Sequence, residues 1–360
     1  MVCGRWLQPL LLAVCSHVVT SLGGPELFKQ SELAKAGIHS KRFCDALKRD
    51  HCAIIELSEC NRPEMVEMWS YAADFFALPA VAKIAMGPLD EPEFSEEHLG
   101  QPRLFGFTQM SANDCLDTRL RRRPASTLGV HGTLEVVPRE LESSLPGATT
   151  ALVKAQRVLF DLGMMALRVV TEDLGDKLER LGSTAENVCC RGGDLPEGAT
   201  SATVHRFIRY VAAAREEEVE EEEASSRSAD SPLAFPAHTD GTWLSMIPCA
   251  AQPGLEVRTA SGWVSLEAHG RHGIDVAVLT GDFLQSLSQF EYTAASHRVL
   301  RPQPGDQPRL SAPLLMRAAA SYREQCKRAD ARRRSAGSTA ATPRVDRDSR
   351  PEGSAGFKEG

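Results

Sequence analysis

A chain of 360 residues is long enough for one large domain or two ordinary ones. Hydrophobic residues make up 42% of the chain and charged residues 25%, a composition typical of a soluble globular protein. The formal net charge of −7 argues against a nucleic-acid partner, because phosphate backbones are bound by basic surfaces. We therefore expect no such partner.

Residues 1–23 have the pattern of a targeting leader. Arg5 precedes an apolar run that begins at Leu10, and Ser21 and Gly23 offer small residues for cleavage. The run is shorter than the roughly 20 apolar residues of a membrane span, so we expect no stable span. A secretory leader, an organellar address and an irregular N-terminus all remain open, and without a leader we expect a cytoplasmic protein.

Residues 24–147 are predicted to form an N-terminal region. Residues 52–57 predict a short strand, and Pro63 begins a helical pattern that continues to Phe76. Residues 89–147 are rich in Pro, Gly, Arg and Ser and show little periodicity. They predict long loops and short strands.

Residues 148–320 are predicted to form a long helix followed by a β-rich core. Apolar residues recur at helical spacing from Leu152 to Val169, and Gly175 is expected to end the helix. Short apolar stretches then alternate with turn residues, which indicates a β-barrel or jelly roll. The stretches are 203–211, 244–248, 255–259, 263–266, 276–280, 298–300 and 310–316.

Two polar segments are expected to lie outside the folded core. Residues 216–223 contain seven glutamates, which repel one another and predict a solvated loop. Residues 321–360 are polar and carry a basic triplet at 332–334, which predicts a disordered tail.

The ten cysteines include no C-x-x-C pair, so a structural zinc site is not expected. Scattered cysteines in a chain of this length are usually small buried hydrophobic residues. Removal of a leader with Cys3 and Cys15 would leave eight, an even number that disulfides could use. A secreted, disulfide-linked protein without a redox metal therefore stays an alternative.

His238 and Asp240 form the only H-x-D pattern in the chain. Residues i and i+2 of an extended strand point to the same side, so the imidazole and the carboxylate would converge. A second imidazole would complete a two-histidine, one-carboxylate facial triad with open positions, which is typical of non-haem Fe(II) oxygenases. His297 lies 57 residues beyond Asp240 and is the candidate third ligand.

Arg309 and Ser311 follow in an R-x-S pattern and would share one strand face. A guanidinium fork beside a hydroxyl is suited to bind a carboxylate.

The chain resembles the 2-oxoglutarate/Fe(II) oxygenases of the isopenicillin N synthase-like, plant flavonoid and gibberellin oxidase type over roughly residues 38–318. In the core, the resemblance rests on an ordered set of motifs: the strand 206–210 that ends in Tyr210, H-T-D at 238–240, G-L-E-V at 254–257, W-V at 263–264, G-D-F-L-Q at 281–285, H-R-V at 297–299 and R-L-S at 309–311. In the N-terminal region it rests on F-F-A-L-P at 75–79 with Lys83.

The resemblance implies an α+β protein with a double-stranded β-helix (jelly-roll) core flanked by helices, with a long helix packed before the core. It implies that His238, Asp240 and His297 bind Fe(II). It further implies that Arg309, Ser311 and Tyr210 bind the co-substrate 2-oxoglutarate. With O₂, such an enzyme oxidises a small-molecule metabolite, by default through hydroxylation, while 2-oxoglutarate yields succinate and CO₂. We expect a monomer.

The chain departs from the family where Asn-Tyr-Tyr is usual, because Ile208-Arg209-Tyr210 stands there and one tyrosine is retained. This departure bears on the identity of the substrate and not on iron binding. Independently of it, two alternatives remain within the same fold. One is an Fe(II) oxidase that does not use 2-oxoglutarate, and the other is a catalytically silent binding module.

Overall fold

The computed structural model describes most of the predicted N-terminal region and core. The described ranges are 24–35, 37–87, 89–90, 104–109, 113–122, 134–175, 201–212 and 233–317. The predicted leader, the acidic run 216–223 and the predicted tail lie outside them.

Seven α-helices occur within these ranges, together with a 3₁₀ turn at Glu59–Asn61. They are α1 (Gln30–Leu33), α2 (Ile38–Asp50), α3 (Arg62–Ala77), α4 (Ala80–Ile84), α5 (Glu140–Ser144), α6 (Ala148–Leu174) and α7 (Asp282–Leu287).

Fifteen strands occur within the same ranges. They are β1 (Leu27–Lys29), β2 (Cys52–Glu56), β3 (Leu89–Asp90), β4 (Leu104–Gln109), β5 (Asn113–Arg122), β6 (Leu134–Val137), β7 (Val204–Tyr210), β8 (Leu233–His238), β9 (Leu244–Pro248), β10 (Leu255–Thr259), β11 (Gly262–Ser265), β12 (Asp275–Thr280), β13 (His297–Leu300), β14 (Arg309–Ser311) and β15 (Leu314–Met316).

The strands form a large and a small sheet that face each other. The large sheet follows the order β1-β2-β12-β9-β15-β7-β5-β4-β3, with β14 also paired to β7 and β6 to β5. The small sheet is antiparallel, in the order β11-β10-β13-β8. Side chains of both sheets, such as Ile208 and Ile247 opposite Val257 and Val299, form one buried cluster. This is the jelly-roll core of the predicted α+β fold.

The long helix α6 packs on the outer face of the large sheet. A Cβ atom at Gly163 would lie 2.1 Å from the Met316 sulfur and 3.2 Å from Met246 Cγ. Glycine therefore lets the helix approach β9 and β15 closely. The helix ends at Leu174, so the prediction that Gly175 ends it is confirmed.

The prediction of long loops and short strands for residues 89–147 was partly wrong. Strand β5 spans ten residues and pairs with β7 in the large sheet. The strand was not predicted because its charged residues gave it the composition of a solvated loop. In the structure, Asp114 and Asp117 form ion pairs with arginines of β7. Strand β8 was predicted only at its end, through the H-x-D motif, and residues 233–237 were not predicted as a strand. Strands β2 and β5 join the core sheet, while the predicted boundary at residue 147 stays a prediction.

The described cysteines are free thiols. Cys44, Cys52 and Cys249 are buried, and burial raises the pKa of each thiol. This agrees with the interpretation that they act as small hydrophobic residues.

Within the described ranges, no helix combines the length and the apolar character that a bilayer span requires.

We expect His205 on β7 to make the stability of the fold dependent on pH. Its side chain is fully buried beside the Phe207 ring, and burial lowers its pKa to about 3. An unfolded chain, with a histidine pKa near 6.5, binds this proton more readily, so stability falls as pH drops below that value. We expect a loss on the order of 2 kcal/mol between pH 6.5 and 5, measured by urea unfolding. The His205→Phe variant should show a shallower dependence, and an unchanged slope would contradict this account.

Candidate active site

The two predicted histidine ligands lie opposite each other on neighbouring strands of the small sheet. His238 is the last residue of β8, and His297 is the first residue of β13. The two residues are Cα partners in the antiparallel ladder, and their ring centroids lie 4.2 Å apart. Residues distant in sequence are thus brought together by strand pairing.

Asp240 lies beyond the end of β8, so the prediction that the whole H-x-D motif sits on a strand was wrong. A loop places the carboxylate instead. The Asp240 carbonyl accepts hydrogen bonds from the Thr242 and Asp282 amides, both at 2.8 Å. A Cβ at Gly281 would lie 2.1 Å from the Thr242 carbonyl oxygen, so glycine is required where α7 begins against this loop. Gly281 and Asp282, the first two residues of the G-D-F-L-Q motif, therefore fix the position of the loop that carries Asp240.

The three side chains converge on one point. One Asp240 oxygen lies 3.8 Å from His238 Nε2 and the other lies 3.7 Å from His297 Nε2. One ligand atom from each of the three residues lies within 4.8 Å of the other two. Two atoms that each bind a shared metal at about 2.1 Å can be at most about 4.2 Å apart. The two nitrogen–oxygen distances fit that limit and are too long for direct hydrogen bonds.

Both imidazoles are oriented to present Nε2 to this point. His238 Nδ1 lies 2.9 Å from the Pro236 carbonyl oxygen, and His297 Nδ1 lies 3.0 Å from the Ala295 carbonyl oxygen. A carbonyl oxygen only accepts, so each Nδ1 carries the hydrogen and each Nε2 keeps its lone pair. Burial, followed by the neighbouring His297, lowers the pKa of His238. The neutral ring that can bind a metal is thereby favoured.

Ser245 on β9 supports Asp240 and was not found by sequence reasoning. Its hydroxyl donates a 2.5 Å hydrogen bond to Asp240 Oδ2. Such a bond orients the carboxylate. A lone serine in an apolar strand gives no signal of this role, because the contact depends on how β9 lies against the loop.

We expect the Ser245→Ala variant to bind Fe(II) about 10- to 100-fold more weakly, because the carboxylate loses its orienting hydrogen bond. Anaerobic equilibrium dialysis measures this affinity. Ser265→Ala is the matched control, since β11 is the edge strand opposite β8 in the small sheet. Equal affinities of the two variants would argue against the role of Ser245.

The predicted co-substrate residues lie together on the large sheet. Arg309 is the Cα partner of Tyr210, and Ser311 is the partner of Ile208. All three predicted side chains are buried, and the Arg309 guanidinium carbon lies 5.4 Å from the Tyr210 ring centroid. Burial raises the pKa of Tyr210, so its hydroxyl stays protonated and can donate a hydrogen bond.

Glu267 holds Arg309 and was also missed by sequence reasoning. One of its oxygens accepts a hydrogen bond from Arg309 Nη2 at 2.5 Å. The other accepts from the Leu255 amide at 3.0 Å. Arg309 Nε and Nη1 are buried and have no hydrogen-bond partner among the described residues. Unpaired buried donors are costly, so this guanidinium is suited to a further acidic partner.

Residues 205–318 match the model of the 2OG-Fe(II) oxygenase superfamily. This segment is a 2OG-Fe(II) oxygenase domain. The chain is thus an oxidoreductase of the 2-oxoglutarate-dependent dioxygenase class, and the superfamily uses Fe(II) and 2-oxoglutarate. The matched segment contains all six predicted site residues.

Solved structures share the fold of the oxygenase domain and its surroundings. A protein from Shewanella oneidensis described as an oxygenase is 18% identical, with a TM-score of 0.55 over 86% of this chain and 98% of that one. A full-length Neurospora crassa protein, solved in complex with α-ketoglutarate and 5-formyluracil, is 15% identical, with a TM-score of 0.55 over 81% and 84%. Dioxygenase for auxin oxidation 1 from Arabidopsis thaliana, in a 2-oxoglutarate complex, is 15% identical, with a TM-score of 0.55 over 82% and 93%. No curated protein shows a matching sequence.

Proposed function

We propose that this protein binds Fe(II) through His238, Asp240 and His297 and hydroxylates a small-molecule metabolite. In this proposal, 2-oxoglutarate is bound by Arg309, Ser311 and Tyr210 and is converted to succinate and CO₂. The observation that carries the proposal is the convergence of two imidazole nitrogens and one carboxylate within 4.8 Å of one another. Among the described residues, no other group of three metal-binding side chains meets this condition.

The donor set fits Fe(II). Two neutral imidazoles and one carboxylate supply three ligands and leave other positions open, as in the non-haem Fe(II) oxygenases. When bound, the iron supplies the redox chemistry with O₂ that side chains lack. The protein orients the ligands: the Pro236 and Ala295 carbonyls fix the rings, and Ser245 fixes the carboxylate.

The Arg309 pocket fits one carboxylate of 2-oxoglutarate. The two unpaired nitrogens of Arg309 offer donors, and Glu267 holds the guanidinium through its third nitrogen. Register supports the contribution of Ser311, because Arg309 and Ser311 are two residues apart on β14 and share one face.

A small-molecule substrate is supported by the fold neighbours, since the Neurospora crassa protein holds 5-formyluracil. We further propose membership in the isopenicillin N synthase-like subfamily. The ordered motifs from Tyr210 to Ser311, together with F-F-A-L-P at 75–79, support this closer kinship.

The proposal is tested by anaerobic reconstitution with Fe(II) and 2-oxoglutarate. A weak visible charge-transfer band is expected, and it should be missing in the His238→Ala variant. His269→Ala is a matched control, because His269 lies in the loop between β11 and β12. Exposure to O₂ with a metabolite panel should then yield succinate and an oxidised metabolite.

Each rival predicts a different result. An Fe(II) oxidase that does not use 2-oxoglutarate would bind iron and oxidise a metabolite without forming succinate. A silent binding module would fail to bind Fe(II), and either result would overturn the proposed function.

A further inference from the structure

The inner face of the large sheet can be traced by strand register from the metal site. Ser245 bonds to Asp240, so its side chain points to the site. Its Cα partner on β15 is Leu315, which in turn is the partner of Val204 on β7. Directly paired residues place their side chains on the same face of a sheet. Leu315 and Val204 therefore share the face of Ser245.

Arg206 lies two residues beyond Val204 on β7, and Arg317 lies two residues beyond Leu315. Because β7 and β15 are antiparallel, the two arginines lie on opposite sides of the Val204–Leu315 pair. Side chains alternate along a strand, so both arginines lie on the face of Ser245. The alternate residues Met246 and Met316 point to the opposite, outer face of the sheet, where they pack against Gly163 of α6. Arg317 directly follows β15, and the Trp243 amide donates a 2.9 Å hydrogen bond to the Met316 carbonyl, so pairing with the neighbouring chain continues to the last residue before Arg317.

Arg206 is already neutralised. It forms two parallel hydrogen bonds, of 2.7 and 2.8 Å, with the Asp117 carboxylate. Asp117 is its Cα partner on β5, so the pair is fixed by register. Such a bidentate pair leaves little charge on Arg206 for a ligand.

Arg317 has no such partner among the described residues. Its side chain is partly buried, and its Nε is inaccessible to water and forms no hydrogen bond within the described ranges. Burial and the neighbouring Arg206 both lower the pKa of Arg317. An arginine nevertheless stays protonated in proteins. A buried donor without a partner is costly, and the positive charge of the guanidinium makes an anion the favoured partner.

We propose that Arg317 binds a carboxylate or similar oxyanion of the primary substrate, which makes the substrate a small organic acid. This inference rests on the proposed function, because it places the anion beside the metal site. The co-substrate has its own arginine. Arg309 pairs with Tyr210 at one end of β7, whereas Arg317 lies beyond Leu315, the partner of Val204 at the other end. The six steps from Val204 to Tyr210 span about 20 Å.

The test compares organic acids with their uncharged amides. The anaerobic Fe(II) and 2-oxoglutarate complex of the full chain is dialysed against phenylacetate, 4-phenylbutanoate and octanoate, and against the primary amide of each. At least one acid should bind about tenfold more tightly than its amide, because charge-assisted hydrogen bonds are worth about 1.5–3 kcal/mol. Arg317→Gln should remove this preference, and Arg317→Lys should retain part of it.

Arg258→Gln is the matched control, since Arg258 is exposed and lies over the Trp263 ring. It should keep the preference of the wild type. The proposal is overturned if no acid is preferred over its amide, or if Arg317→Gln keeps the preference. It is also overturned if Arg317→Gln weakens binding of 2-oxoglutarate instead. Failure of the wild type to bind Fe(II) and 2-oxoglutarate would refute the proposed function itself.

Discussion

Replacing Asp240 with alanine should weaken Fe(II) binding by more than about 100-fold. Loss of a group that merely orients a ligand costs about 10- to 100-fold, and Asp240 is proposed as a ligand itself. Its removal also takes away the one negative charge of the proposed metal site, beside two neutral imidazoles. Anaerobic equilibrium dialysis with Fe(II) measures the change.

The control for this prediction is Asp306→Ala. Asp306 is exposed and accepts a hydrogen bond from the Gln303 amide, in the loop between β13 and β14. This variant should bind Fe(II) as the wild type does. Wild-type affinity in Asp240→Ala would show that the carboxylate does not bind the metal.

Replacing Arg309 with methionine should weaken 2-oxoglutarate binding by at least about 30-fold, because loss of a buried charged partner costs about 2–5 kcal/mol. The same change leaves Glu267 buried without its arginine. We therefore expect a loss of about 3–5 kcal/mol in the free energy of unfolding.

A double variant separates binding from stability. Glu267→Gln combined with Arg309→Met removes both charges, and the glutamine oxygen can still accept from the Leu255 amide, so most of the lost stability should return. Binding of 2-oxoglutarate should remain lost. Urea unfolding and anaerobic titration measure the two quantities. If the double variant binds 2-oxoglutarate normally, Arg309 does not hold the co-substrate.

The core of the site could be predicted from the sequence because its residues stand at fixed positions in ordered motifs. Asp240 lies two residues after His238. The R-x-S motif places Arg309 and Ser311 on one face of β14. The contact between His238 and His297 depends on the pairing of β8 with β13, which spacing alone does not show. It could be predicted only because the order of the motifs resembles that of the oxygenase family. The position of Asp240 in a loop was not predicted, because spacing alone does not show where a strand ends.

The supporting residues could not be predicted, because their roles arise from register between strands distant in sequence. Ser245, Glu267 and Arg317 belong to no pattern, and each role depends on which neighbour faces it. Strand β5 was missed for a related reason. Its acidic residues suggested a solvated loop. In the structure, Asp114 and Asp117 form ion pairs with Arg209 and Arg206 on the neighbouring strand β7.

X-ray absorption at the iron edge of the anaerobic Fe(II) protein most directly tests whether these three side chains share one ion. The account predicts nitrogen and oxygen neighbours at about 2.1 Å, with outer-shell scattering from two imidazoles. In His297→Ala the signal of one imidazole should disappear. A spectrum without imidazole scattering, or one unchanged in that variant, would contradict the account.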